Sequence, residues 1–66
     1  MPSFTRGISL KLARVERRVT QAEVARSAGW SRQYVGRLEL RDLVPETQAT
    51  RFRAALDDAV TSRGGL

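Results

Sequence analysis

The sequence predicts an all-α domain of four helices without a sheet, and three observations lead to that prediction. Apolar residues recur at the three- and four-residue spacing of helices, start and stop signals divide the chain into four segments, and no segment alternates as strands do. The chain has 66 residues, which predicts a single domain over 1–66 with a small core. We expect helices at about 7–18, 21–28, 31–40 and 45–62.

The first and the fourth helix are predicted from apolar spacing. One face of the first helix is expected to carry four residues at intervals of four, three and four, namely Ile8, Leu12, Val15 and Val19. Pro45 suits the first turn of the fourth helix, and Glu46 is favourable near its positive end. Helical spacing continues through Phe52, Leu56, Ala59 and Val60. Gly64-Gly65 is then expected to stop the helix.

The second helix is predicted from its two ends. Thr20 and Glu23 have the spacing of a capping box, in which each side chain bonds the backbone amide of the other residue. Gly29 is expected to end the helix, because glycine adopts a positive φ without steric cost. The inner face of the helix is predicted to consist of Val24, Ala25 and Ala28.

The third helix follows after only Gly29 and Trp30. Ser31 is a favourable N-cap, and Val35 and Leu38 are expected to form the inner face. Two short helices joined by a tight glycine turn over residues 20–39 have the sequence form of a helix-turn-helix. A residue as small as Ala25 suits the point where the two helices cross.

The charge is distributed unevenly along the chain. The net charge is +5, but residues 1–41 contain nine basic and three acidic residues, whereas residues 42–66 contain three basic and four acidic ones. The basic part is expected to face a polyanion, although a merely solvated surface would have the same composition. Eleven of the twelve bases are arginine, whose planar fork can grip phosphate or guanine with two hydrogen bonds.

Several classes of protein are excluded or disfavoured by what the sequence lacks. It contains no cysteine and no histidine, so we expect no disulfide, no metal site and no cofactor, and an enzyme is the least favoured class. No apolar run reaches the length of about 18 residues that a membrane helix needs, and the first residues do not have the form of a signal peptide. We therefore expect a cytoplasmic protein with no membrane partner and no small-molecule substrate.

The helix-turn-helix segment resembles a known family. The chain is similar to the lambda-repressor-like, Cro/C1-type (XRE) helix-turn-helix family in Thr20-Gln21-Ala22-Glu23-Val24-Ala25, in Gly29-Trp30-Ser31-Arg32-Gln33-Tyr34-Val35 and in Leu38-Glu39. The resemblance implies a four-helix domain that binds double-stranded DNA by placing helix 31–40 in the major groove. The chain departs from the family at Leu40-Arg41-Asp42, where many members have a glycine.

The third helix is expected to contact the bases. With Val35 and Leu38 inward, the 100° rotation per residue points four residues outward, namely Gln33, Gly36, Arg37 and Leu40. The resemblance implies that bases or the phosphates beside them are reached by Ser31, Arg32, Gln33 and Arg37. Gln33 is the first candidate because glutamine can bond adenine bidentately, as arginine can bond guanine.

Other residues are expected to contact phosphates or to hold the fold. The resemblance implies that Gln21 bonds a backbone phosphate and that Arg14 pairs with Glu39. Tyr34 either bonds a phosphate or packs at the edge of the core, and Arg41 either bonds a phosphate or is a solvated loop residue. Glycine at position 36 is explained either by close approach to DNA or by an uncritical position on the surface. Trp30 is expected to be core rather than a stacking platform for single strands.

These observations lead to a functional hypothesis with two alternatives. The leading hypothesis is a sequence-specific transcriptional regulator, a repressor of phage Cro/repressor type, which binds as a homodimer to half-sites about 10 bp apart. One alternative is the amino-terminal domain of a larger regulator. The other is a helical, antitoxin-like protein-interaction module.

Overall fold

The computed structural model describes residues 3–64, which form four helices and one short strand pair. In chain order the elements are β1 (Phe4–Thr5), α1 (Gly7–Glu16), α2 (Gln21–Ala28), α3 (Arg32–Leu40), β2 (Val44–Pro45) and α4 (Glu46–Gly64). The all-α prediction is confirmed, because helices account for nearly all of the regular structure. The predicted stop at Gly64-Gly65 extends beyond the described residues. Among residues 3–64, none of the helices combines the length and the apolar composition that a membrane span requires.

Helix α1 ends at Glu16 rather than at the predicted Arg18. Arg18 adopts a left-handed backbone conformation with φ 57°. The Arg18 amide donates to the Val15 carbonyl over 3.0 Å, and the Val19 amide donates to the Arg14 carbonyl over 3.2 Å. This pair of bonds is a Schellman motif, which usually has glycine where this chain has arginine. Because the stop residue is not glycine, the local sequence did not predict the end of the helix.

The apolar face predicted for α1 is not the face that packs against the core. Ile8, Leu12 and Val15 are each half-exposed, whereas Leu10 is buried. Val19, the fourth member of the predicted face, is buried but lies beyond the end of the helix. The residues at 8, 12 and 15 recur at helical spacing on the solvent side, so the periodicity was real and the choice of inner face was wrong.

A two-stranded antiparallel sheet departs from the prediction of no sheet. Phe4 pairs with Pro45, and Thr5 pairs with Val44. Pro45 was predicted in the first turn of the fourth helix, but it belongs to β2, and α4 begins at Glu46. Hydrogen bonds extend this contact into α4, since the Glu46 amide donates to the Ser3 carbonyl over 3.0 Å and the Thr5 hydroxyl donates to Glu46 over 2.8 Å. The pair joins segments some 40 residues apart, which no local sequence pattern indicates.

The core lies between α2, α3 and α4. The predicted inner residues of α2 and α3 are buried, and so are Phe52, Leu56 and Ala59 of α4, whereas Val60, predicted at the same spacing, is exposed. Both end signals of α2 are confirmed, because the Thr20–Glu23 capping box forms and Gly29 is left-handed with φ 75°. The fully buried Phe52 is among the largest side chains of this core.

The start of α1 packs directly against the end of α3. The Gly7 amide donates to the Arg41 carbonyl over 3.1 Å. A side-chain carbon added at Gly7 would lie 2.3 Å from that carbonyl oxygen and 2.5 Å from the Leu38 carbonyl oxygen. Only glycine fits there, so the backbones of α1 and α3 are in direct contact at this point.

Candidate nucleic-acid interface

Helix α3 is oriented by its cap and its two inner residues. The Ser31 hydroxyl accepts a hydrogen bond from the Tyr34 amide over 3.0 Å, which is the N-cap expected from the sequence. Val35 and Leu38 have 0% relative exposure. Burial of these two side chains fixes the rotation of α3 about its own axis, and with it the side chains that face solvent.

The opposite side of α3 is open to solvent. The four residues expected to reach bases are all exposed, namely Ser31, Arg32, Gln33 and Arg37. Leu40 lies at the end of the same face and is 85% exposed. Since no other element covers this face among residues 3–64, it is available to a large partner.

A shallow groove runs beside this face. It has a volume of about 480 Å³ and an open mouth. The other helices contribute Lys11 and Gln21 to its lining, and helix α3 contributes Gln33, Gly36, Arg37, Glu39 and Leu40. We call this surface the recognition groove. Gln21, which is expected to contact a phosphate, thus lies next to Gln33 and Arg37, which are expected to contact bases.

Behind the groove lies a buried hydrogen-bond network. Arg14 Nε and Nη2 donate to the two Glu39 oxygens over 2.6 and 3.1 Å. The side chains of this pair are 12% and 2% exposed. Arg14 Nη1 also donates to the Val19 carbonyl over 2.9 Å. The two-pronged contact ties α1 to α3 and to the turn before α2.

Gln21 belongs to the same network. Its side-chain nitrogen donates to Glu39 Oε1 over 3.0 Å. An amide nitrogen carries two hydrogens, so one donor is used by Glu39 and a second is left for another acceptor. Gln21 is the first residue of α2, where the helix end favours an anion. The network therefore fixes the position of an amide donor at the edge of the recognition groove.

A second, basic groove adjoins the first. It is open, has a volume of about 740 Å³ and surrounds the start of α2. Its basic lining residues are Lys11, Arg14, Arg18 and Arg32, and it shares Lys11 and Gln21 with the recognition groove. We call it the basic groove. The two grooves therefore meet at Lys11 and Gln21.

Neither Lys11 nor Arg18 was predicted from the sequence to contact DNA. The three-residue spacing of Lys11 and Arg14, which places both on one side of a helix, is the signal that would have found Lys11. Arg18 carries no such signal, because it reaches the basic groove through a left-handed turn.

Trp30 and Tyr34 are held against the core by a contact from α4. Both are half-buried, and their ring centroids lie 5.0 Å apart in an edge-to-face arrangement. The Arg51 guanidinium lies 5.8 Å from the Trp30 ring centre and donates to the Ala28 carbonyl over 3.0 and 2.8 Å. Arg51 thus bonds the end of α2 and covers the turn between α2 and α3. The Tyr34 ring packs at the edge of the core, one of its two expected positions.

Arg41 lies directly after α3. Its backbone amide donates to Leu38, its carbonyl accepts from Gly7, and its side chain is exposed. With Tyr34, Arg37 and Leu40 it lines a further concave surface at the end of α3. Arg41 is therefore next to the exposed face of α3 but outside the recognition groove.

The remaining ion pairs lie away from the two grooves. They are Arg17–Asp57, Arg53–Glu46 and Arg63–Glu23. Hydrogen bonds from Arg63 and from Thr20 lower the pKa of Glu23 to about 2. Arg53 and Thr5 lower the pKa of Glu46 in the same way. Within residues 3–64, no group of three or more acidic side chains is placed to hold a metal ion.

Comparison with known proteins places the central part of the chain in a family. A family model described as helix-turn-helix matches residues 10–45, which is more than half of the chain. No curated protein and no solved structure matches. The matched segment includes α2, α3 and both grooves.

Proposed function

This chain belongs to the Cro/C1-type helix-turn-helix family of DNA-binding regulators, and we propose that it is a sequence-specific repressor of phage Cro/repressor type. The family is generally non-enzymatic. The observation that carries the proposal is the complete burial of Val35 and Leu38, which leaves Arg32, Gln33 and Arg37 exposed on one side of α3. In this proposal that side enters the major groove of an operator.

Gln33 and the arginines beside it supply the chemistry for reading bases. Gln33 would bond adenine through N6 and N7, while Arg32 or Arg37 would bond guanine through O6 and N7. Ser31 would contact a base or the phosphate beside it. All of these donors lie in the first two turns of α3, which is the part of such a helix that reaches deepest into the groove.

Gln21 supplies a phosphate contact that positions α3. Its free amide hydrogen and the start of α2 would bind one backbone oxygen, while Glu39 holds the side chain in place. Arg41 would bind a further phosphate, while Tyr34 packs at the edge of the core. Phosphate contacts fix the register of the protein on the duplex but do not read sequence.

Repression would follow from occupancy of a promoter by two copies. A homodimer would read half-sites about 10 bp apart, one turn of the duplex. A regulator of this kind works in the cytoplasm, in contact with bacterial or phage DNA.

The assignment of roles is tested by two glutamine substitutions. Gln33→Ala is expected to abolish preference for one base pair, whereas Gln21→Ala is expected to weaken all duplexes about equally. Each well-made base contact contributes roughly 1–3 kcal/mol of discrimination, so the loss at one position is about fivefold or more. Fluorescence anisotropy with a selected duplex and its single-base variants measures both effects.

Thr61→Ala, an exposed change on α4, is the control for nonspecific effects of mutation. Uniform weakening by both glutamine variants would show that Gln33 does not read a base. Failure of the unmodified protein to select any duplex from a random pool would contradict the proposed function.

One observation favours a second candidate function, an antitoxin-like protein-interaction module. Ile8, Leu12 and Val15 form an exposed apolar stripe on α1, on the side away from the core. If this were the main function, DNA binding would be weak and would not select a sequence. The protein would then be retained on a DNA column at low salt, and this retention would be lost at physiological salt.

A further inference from the structure

Leu40 is a large apolar residue on a polar surface. It is 85% exposed and is the last residue of α3. Gln33, Arg37 and Leu40 stand at i, i+4 and i+7, so they share one face of the helix. Leu40 therefore continues the row of side chains proposed to face the bases, and it lines the recognition groove with them.

Gly36 leaves a gap beside that row. It lies one turn before Leu40 and also lines the recognition groove. A side-chain carbon added at Gly36 would meet only the Gln21 amide group, at 3.6 and 3.9 Å, which is ordinary contact. The free protein therefore has room for alanine, a better helix former, at this position. Packing within the free protein therefore does not require glycine at this position.

We propose that Gly36 and Leu40 form an apolar notch that receives the 5-methyl group of a thymine. This inference rests on the proposed function and names part of the base sequence that the site prefers. Thymine carries the only methyl group on the major-groove edge of unmodified base pairs, and apolar side chains recognise it by contact. Gln33 and Arg37 then bond the neighbouring base edges, while Leu40 covers the methyl group.

The proposal is tested by removing that methyl group from the DNA. A duplex is first selected from a random pool, and each thymine is then replaced in turn by deoxyuridine, which lacks only the methyl. At one position in each half-site, the unmodified protein should bind the uracil duplex about fourfold more weakly, since one buried methyl contributes about that factor. Leu40→Ala should bind both duplexes equally, with the affinity that the unmodified protein has for the uracil duplex.

Two further variants sharpen the test. Leu43→Ala removes an exposed leucine that does not line the recognition groove, and it should keep the full preference for thymine. Gly36→Ala should raise the melting temperature of the free protein, because alanine is a better helix former than glycine. It should also lose the preference for thymine, because its methyl group fills the notch. Melting curves followed by circular dichroism verify that each variant is folded at the temperature of the binding experiment.

Three outcomes would overturn the inference while leaving the proposed function intact. In the first, the selected site requires no thymine. In the second, Leu40→Ala prefers thymine as strongly as the unmodified protein does. In the third, Leu43→Ala rather than Leu40→Ala loses the preference. Failure to select any duplex would overturn the proposed function and this inference together.

Discussion

At the scale of single residues, Glu39 connects the stability of the domain to its surface. It accepts two hydrogen bonds from Arg14 and one from Gln21. The carboxylate is almost fully buried, so its charge depends on these partners rather than on water. The same side chain thus holds α1 against α3 and fixes the amide that is proposed to bind a phosphate.

Removing one member of the Arg14–Glu39 pair should therefore be costly. Arg14→Met leaves a buried carboxylate without its main partner and should lower the free energy of unfolding by about 3 kcal/mol. Glu39→Met should have a similar effect, because it leaves a nearly buried guanidinium unpaired. The double variant should recover most of the loss, since two apolar side chains of similar length replace the pair. Urea denaturation followed by circular dichroism measures all three values.

Arg17→Met is the matched control for this experiment. Its pair with Asp57 is exposed on both sides, so the substitution should change the free energy of unfolding by no more than about 1 kcal/mol. A Glu39→Met cost as small as that of Arg17→Met would show that leaving Arg14 without its partner does not destabilise the fold.

At the scale of elements, the helices with strong local signals were predicted accurately. Helix α2 has a capping box at one end and a left-handed glycine at the other, and α3 has a serine cap. These signals act within a few residues, so the sequence contains them in full. The exposed side of α3 followed in turn, because helical periodicity and two buried aliphatic residues determine it.

The features that were missed depend on contacts between distant segments. The inner face of α1 is set by packing of Gly7 and Leu10 against other elements, so its apolar stripe misled the prediction. The strand pair also joins distant segments. Arg18 lines the basic groove from a left-handed backbone conformation. Arginine rarely adopts this conformation, so the sequence does not predict it.

The start of α2 should make stability depend on pH. The folded-state pKa of Glu23 is about 2, below its ordinary value of 4.5, so this carboxylate contributes stability that is present above pH 4.5 and is lost as the pH falls toward 2. Glu23→Gln keeps the capping hydrogen bond but removes the charge that binds Arg63. The unmodified protein should be more stable than Glu23→Gln at neutral pH, and the difference should shrink below pH 4.5.

Thermal melts of both proteins from about pH 6 to about pH 2.5 measure that difference. Glu16→Gln, an exposed charge change outside the ion pairs described above, controls for the general effect of net charge. A Glu23→Gln difference that is constant across the whole range would contradict the bonded carboxylate seen in the structure.

At the scale of the whole molecule, the basic residues of α4 bond other parts of the chain, whereas those around the start of α2 face an open groove. The arginines of α4 are engaged within the chain, since Arg51 bonds Ala28, Arg53 bonds Glu46 and Arg63 bonds Glu23. Lys11 and Arg18 line the basic groove and take part in none of the ion pairs described for residues 3–64. The uneven charge along the sequence thus becomes a basic surface beside the exposed side of α3.

If that surface binds phosphates, its bases should determine how salt weakens binding. Each phosphate neutralised by a base releases counterions and contributes about 0.9 to the slope of log affinity against log salt concentration. Lys11→Gln and Arg18→Gln should each lower the slope by about 0.9, without changing which duplex is preferred. Arg53→Gln removes the same charge from a paired position on α4 and should leave the slope unchanged. Equal slope changes in all three variants would mean that net charge, rather than the basic groove, draws the protein to DNA.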